Sequence, residues 1–170
     1  MKNKILPSLV LTVICLVVAF LLAAVNSVTL PIIKEAERQA VQDNLATVLP
    51  SGSNFVEIET SGLPEEVTNV FSEDNGGYVF QMSVVGYKPG LIIMCGIDAT
   101  GTVRGATYVK SQETLSAEVG LGEKFIGYNA DTITPEIIAG PTAKMTTEAY
   151  YGAIEAALEA FEILTEKEGE

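Results

Sequence analysis

Apolar and polar positions divide the chain into three stretches of different period. From Ile5 to Val25 no residue is charged and most are apolar. At about 1.5 Å rise per residue, a helix of that length crosses the roughly 30 Å hydrocarbon core of a bilayer. Pro7 falls in its first turn, where a missing N–H does no harm. From Pro31 onward Ile32, Ile33, Ala36, Ala40, Val41, Leu45, Val48 and Leu49 recur at helical spacing. They predict an amphipathic helix that continues the first and packs on the domain beyond it, with Pro31 suited to its first turn. Pro50, Gly52 and Ser53 end it.

Beyond residue 53 the period drops to two. Strands are predicted at 54–58, 67–71, 78–87, 91–97 and 103–109. The turn signals between them are Ser61-Gly62-Leu63-Pro64, Glu73-Asp74-Asn75-Gly76-Gly77, Lys88-Pro89-Gly90 and Asp98-Ala99-Thr100-Gly101. Links this short join antiparallel neighbours, so the middle of the chain reads as an antiparallel sheet. Residues 111–122, SQETLSAEVGLG, break the alternation; their composition reads as a connector, with a functional loop as the alternative. A short helix is expected at 123–127 and a last, β-branched strand at 132–138. Thr146 or Thr147 is expected to N-cap the closing helix, with Glu148 in its first turn. Ala149, Ala153, Ile154, Ala157, Leu158 and Phe161 form its buried stripe. The expected fold is α+β: an N-terminal transmembrane helix (residues 1–30), a juxtamembrane amphipathic helix (31–50), and an antiparallel sheet domain with a C-terminal helix (51–170).

Length and charge fit this division, since 170 residues hold one domain and an appendage. The apolar run is long and ends at a poor cleavage site, so it reads as a retained anchor and not a cleaved signal peptide. Lys2 and Lys4 precede the span, whereas Lys34 and Arg38 beyond it are matched by Glu35 and Glu37. The positive-inside rule then puts the N-terminus in the cytoplasm and the domain on the outer side. The net charge is −12, and all 22 acidic residues lie beyond the span. That sign argues against a nucleic-acid partner and fits a solvated acidic surface.

The inventory of reactive side chains is short. There is no histidine, and the two cysteines, Cys15 in the span and Cys95 in an apolar run, are not expected to meet. A zinc site, a His-ligated haem or an iron–sulfur cluster held by this chain is not expected, and neither a Ser-His-Asp nor a Cys-His mechanism is available. No catalytic residue and no metal ligand is proposed on these grounds. Chemistry would fall to hydroxyls, backbone amides and a bound cofactor, most visibly around EIIAGPTAKMTTEA, residues 136–149.

Several segments carry a resemblance. Gly86-Tyr87-Lys88-Pro89-Gly90 followed by LIIMCGIDATGTVRGATYVKSQET, then Glu113-Thr114 and Gly120-Leu121-Gly122, and then a Gly-x-Thr turn before a helix, resemble the FMN-binding domain family. That family comprises the G subunits of Rnf-type electron transport complexes and the C subunits of the sodium-translocating NADH:quinone oxidoreductase. The similarity covers nearly the whole chain. Residues 115–119, LSAEV, stand where the family usually has a single proline.

The resemblance implies an electron-relay subunit whose FMN is esterified through phosphate to a threonine closing a Ser/Thr-Gly-Ala-Thr motif, attached by a separate flavin transferase. Read from Glu136, EIIAGPT puts Thr142 at the modified position, with Ala139 and Pro141 in place of Ser and Ala. Aligned backwards from the helix, TAKMTTEA puts Lys144 there instead, which implies no ester or one at Thr146. The first register keeps the glycine, the threonine and the upstream acid together and is preferred. By the same resemblance, Glu113, Thr114, Gly120, Leu121, Gly122 and Gly140 line the cofactor site, with Leu121 and the neighbouring glycines covering the ring. Lys144 either pairs with the phosphate or is a solvated lysine. The implied partners are the other subunits of a membrane complex coupling ferredoxin:NAD oxidoreduction to ion translocation. A membrane-anchored flavoprotein outside such a complex and a cofactor-free structural subunit are the alternatives.

Overall fold

A computed structural model describes the backbone of residues 2–140 and 143–168, and the side chains of 10–30, 41, 43–140 and 143–167. It forms two compact units, Met1–Ala40 and Val41–Glu170. The described residues of the first unit are all helical, as part of α1 (Lys2–Val48), and the helix runs through Pro31 without a break. Within it, Val10–Leu30 has a mean hydropathy of 2.6 and none of it is buried. Among the described residues this is the one helix long and apolar enough to cross a membrane. Ser27 and Thr29 donate their hydroxyls back to the carbonyls of Ala24 and Val25 at 2.8 and 2.7 Å, so neither leaves an unpaired donor in apolar surroundings.

The second unit is built on a five-stranded antiparallel meander: β1 (Val56–Ile58), β2 (Val67–Ser72), β3 (Tyr78–Val85), β4 (Pro89–Ile97) and β5 (Val103–Lys110), in that spatial order. Alternation decides which side chains meet. Phe80 and Met82 on β3 pair with Cys95 and Ile93 on β4, and all four join Leu91, Ile97 and Val103 in the larger core on one face. Val79, just before Phe80, and Met94, between Ile93 and Cys95, face the other way, against Leu45, Val48 and Leu49. The end of α1 thus covers that second face, where its Val48 carbonyl lies over Gly96 and Gly105 so closely that a side chain at either would collide with it.

The first face is covered by α2 (Lys144–Glu168). Its Tyr150, Ala153, Ile154, Ala157, Leu158 and Phe161 recur at helical spacing and lie in the larger core. A 3-10 helix at Leu121–Phe125 leads into a turn that closes the β5 edge, where Val103 N–H donates to the Tyr128 carbonyl (2.8 Å) and Gly127 N–H to that of Val103 (2.9 Å). This arrangement meets the edge-strand problem at the start of β5 by pairing it with a loop. The result is an α+β fold with an N-terminal apolar helix, an antiparallel sheet and a closing helix, as expected.

Two local expectations are corrected. The strand anticipated at 132–138 does not form: after Thr134 the chain turns into a 3-10 helix, Pro135–Ile138. Pro135 has no N–H to give a sheet and its fixed φ suits the first position of a helical turn. Just before it, Thr132 N–H and hydroxyl both bond to Asn129 Oδ1, at 3.1 and 2.7 Å, in a side-chain-mediated turn. The closing helix also begins earlier than expected. With Lys144 as its first residue, Thr146 and Thr147 lie inside the first turn and Glu148 beyond it. The Ala143 carbonyl accepts from the amides of Thr146 and Thr147, at 3.0 and 3.1 Å, the second being the first backbone bond of the helix, while the Thr146 and Thr147 hydroxyls donate to Glu113 and to the Lys144 carbonyl.

Candidate functional site

The tight hairpin between β3 and β4, Gly86-Tyr87-Lys88, presents two backbone amides to one carboxylate. Glu113 Oε1 accepts from Lys88 N–H at 3.1 Å and Oε2 from Tyr87 N–H at 3.3 Å. Glu113 reaches them because its own amide is held by Ser111 Oγ at 3.1 Å, just past the end of β5. It also needs a glycine opposite: a Cβ on Gly86 would lie 2.6 Å from Glu113 Oε1. The third donor comes from α2, where Thr146 Oγ1 gives a 2.6 Å hydrogen bond to Oε2. Thr146 is only 1% exposed. One carboxylate therefore ties together the β3–β4 turn, the loop after β5 and the first turn of α2.

That network sets the protonation state of Glu113. Desolvation pushes its carboxyl upward, but the hydrogen bonds from Thr146, Lys88 and Tyr87 and the Lys88 charge together outweigh it, so the group lies below the usual carboxylate range. Both oxygens are engaged and the residue serves as a strut between elements.

Around this strut the first residues of α2 border, among the described residues, three cavities. The largest, about 440 Å³, is lined by Tyr87, Glu113, Thr114, Leu115, Ala143, Lys144, Met145 and Thr146. A second, about 360 Å³, lies among Leu115, Val119, Gly120, Leu121, Gly140 and Thr147. The third, about 310 Å³, is bounded by Pro135, Ile138, Gly140, Lys144, Glu148 and Tyr151. Of the residues anticipated from sequence, Glu113, Thr114, Lys144 and Thr146 meet at the first cavity, and Gly120, Leu121 and Gly140 at the second. Thr142 and Pro141 lie outside the described residues.

Gly122 lines none of these cavities. It packs against the β5 backbone, where a Cβ would collide with the Ala106 carbonyl and come within 2.8 Å of the Tyr150 hydroxyl. Tyr150 is fully buried, stacks on Phe125 at 5.8 Å with 12° between the rings, and its hydroxyl has no hydrogen-bond partner among the described residues. Burial pushes that phenol upward, so it stays neutral. Leu121 is 4% exposed and belongs largely to the core.

Sequence reasoning missed Tyr87, Leu115 and Met145, which are 65%, 68% and 60% exposed and line the largest cavity together. Their signal is large apolar side chains at positions that no strand or helix period assigns to the core. The backbone is strained here as well. Ala143 and Ser116 have φ of 51° and 47°, a left-handed conformation that costs roughly 1–2 kcal/mol for a residue with a Cβ. Lys144 is exposed and pairs with Glu148 at 3.5 Å.

Comparison with known proteins adds two findings. Residues 1–48 match the model of the RnfG N-terminal region. The chain is also 31% identical, over 142 residues, to the G subunit of the Na(+)-translocating ferredoxin:NAD(+) oxidoreductase complex of Acetobacterium woodii, an alignment covering 74% of this chain and 67% of that protein.

Proposed function

The chain belongs to the RnfG family of Rnf-complex subunits, and we propose that it serves there as an electron relay carrying FMN esterified through phosphate to Thr142. The observation that carries this reading is the 440 Å³ cavity at the start of α2, whose lining includes Ala143, the residue next to Thr142. Its volume falls in the range of about 300–1,000 Å³ typical of small-molecule sites, and its walls are mainly apolar with few polar groups. Lys144 and the positive end of the α2 dipole favour an anion at the same place. These residues suit a flavin mononucleotide, whose bound ring supplies the reversible electron transfer.

The chain's own contribution is to hold, orient and partly cover the cofactor. It offers no acid–base pair of its own in this reading. Residues 1–30 act as the anchor, 31–50 as the juxtamembrane helix and 51–170 as the flavin-bearing domain. Its N-terminus is cytoplasmic and the domain lies on the outer side of the membrane. The partners are the other subunits of a complex that passes electrons between ferredoxin and NAD while moving ions. A flavin transferase forms the ester by moving the FMN moiety of FAD to the Thr142 hydroxyl and releasing AMP.

Intact mass and peptide mapping of the full-length protein, made together with a flavin transferase, test this reading. The expected result is an added mass of one FMN less one water on the peptide that contains Thr142. Replacing Thr142 by alanine is expected to abolish in-gel flavin fluorescence with the far-UV spectrum unchanged. Retained fluorescence would refute the attachment residue, and an unmodified native protein would refute the covalent carrier.

A further inference from the structure

We infer that Tyr87, Leu115 and Met145 form the seat of the isoalloxazine ring, in preference to the Gly120-Leu121 side of the site; this rests on the FMN reading above. The attachment residue lies between Gly140, which borders the two smaller cavities, and Ala143, which borders the largest. Chain position alone therefore leaves both directions open, and the chemistry of the walls decides. A flat tricyclic ring gains most from covering large apolar side chains that water otherwise contacts, above all an aromatic face and a thioether.

The largest cavity offers both. Tyr87, Leu115 and Met145 are each at least 60% exposed, and Lys144 borders the same space. The second cavity shares Leu115 with the first and adds Val119, 60% exposed, but its Leu121 is buried at 4% exposure and, among the described residues, neither an aromatic side chain nor a thioether lines its wall. The third has Tyr151, which is 8% exposed and mostly engaged with the core. Glu113, also on this wall, has both oxygens engaged by three donors of the protein itself. The same three bonds fix the β3–β4 turn that carries Tyr87 against the helix turn that carries Met145.

The test uses the full-length flavinylated protein in detergent and reads flavin fluorescence normalised to flavin released on denaturation. A phenol stacked on a flavin quenches its emission. Tyr87→Leu keeps the apolar bulk and removes the phenol, so emission is expected to rise several-fold and its lifetime to lengthen. Val119→Ser, on the wall of the second cavity, is expected to leave both unchanged. Met145→Ala provides an independent variant, expected to increase quenching by iodide as the ring is uncovered. Full flavin content with unchanged emission in Tyr87→Leu and unchanged iodide access in Met145→Ala would overturn the assignment while leaving the FMN reading intact. A lack of flavin on the unsubstituted protein overturns the FMN reading itself and is seen before any variant is made.

Discussion

Replacing Thr146 by valine exchanges one hydroxyl for a methyl group of nearly the same volume, at a position 1% exposed. The hydroxyl removed is the donor of the 2.6 Å bond to Glu113 Oε2. A hydrogen bond to a charged group contributes about 1.5–3 kcal/mol, and the partly exposed carboxylate puts this one at the lower end, about 1.5 kcal/mol. For a unit of this size that corresponds to a Tm lowered by roughly 4–9 °C. The penalty also depends on pH. Glu113 titrates lower in the fold than in the unfolded chain, so its stabilisation is complete above the unfolded value, near about 4.3, and is lost as pH falls through the folded value. The valine variant should therefore be at its greatest disadvantage near neutral pH and approach the native protein in acid. Thermal unfolding of the full chain in detergent, followed by near-UV circular dichroism at several pH values, measures this. A double-mutant cycle with Glu113→Gln isolates the pair. A loss below about 0.5 kcal/mol at neutral pH, or one equally large in acid, would refute the strut.

Two further substitutions probe the packing beneath the site. Gly122→Ala drives a Cβ into the Ala106 carbonyl and is expected to cost about 3 kcal/mol or more, read as a large fall in the urea midpoint; a near-native midpoint would show that the loop can lift from β5. Tyr150→Phe removes a buried hydroxyl that has no partner among the described residues, so stability should stay within about 0.5 kcal/mol of the native protein or rise. A loss above about 1 kcal/mol in the same assay would mean that the hydroxyl is bonded after all.

The sheet was legible because its two faces obey one rule. Phe80 and Met82 alternate with Val79, and Ile93 and Cys95 with Met94, so period two alone sorts them onto the two cores. Where a local signal competes with a backbone constraint, sequence reading went astray. Thr132 to Ile138 is β-branched enough for a strand, but Pro135 cannot donate to a sheet and opens a 3-10 turn instead. Thr146 has the chemistry of a cap, yet its hydroxyl finds a carboxylate 33 residues away in sequence. No local pattern encodes such a partner. Residues 111–122 looked like a connector for the same reason: small and polar composition does not reveal that Glu113 is engaged by the β3–β4 turn or that Leu115 borders a cavity.

An acidic chain is at first sight a poor host for a phosphate, and net charge alone would argue against one. At physiological ionic strength, however, exposed charges beyond about 8 Å are largely screened, so the residues at the start of α2 decide. There the helix end contributes partial positive charge, and by helix geometry the amides of Lys144 and Met145 have no acceptor within α2. The nearby carboxylate of Glu113 keeps its charge, but both its oxygens are already taken up by three donors. Among the described residues Lys144 pairs with Glu148, one turn along an exposed face at 3.5 Å, and such a pair stabilises a helix by about 0.3–0.5 kcal/mol. A phosphate meeting the lysine and the helix end together displaces that partner at little cost. The local field therefore favours an anion although the chain as a whole carries −12, and the acidic surface elsewhere acts on solubility and on the choice of partners.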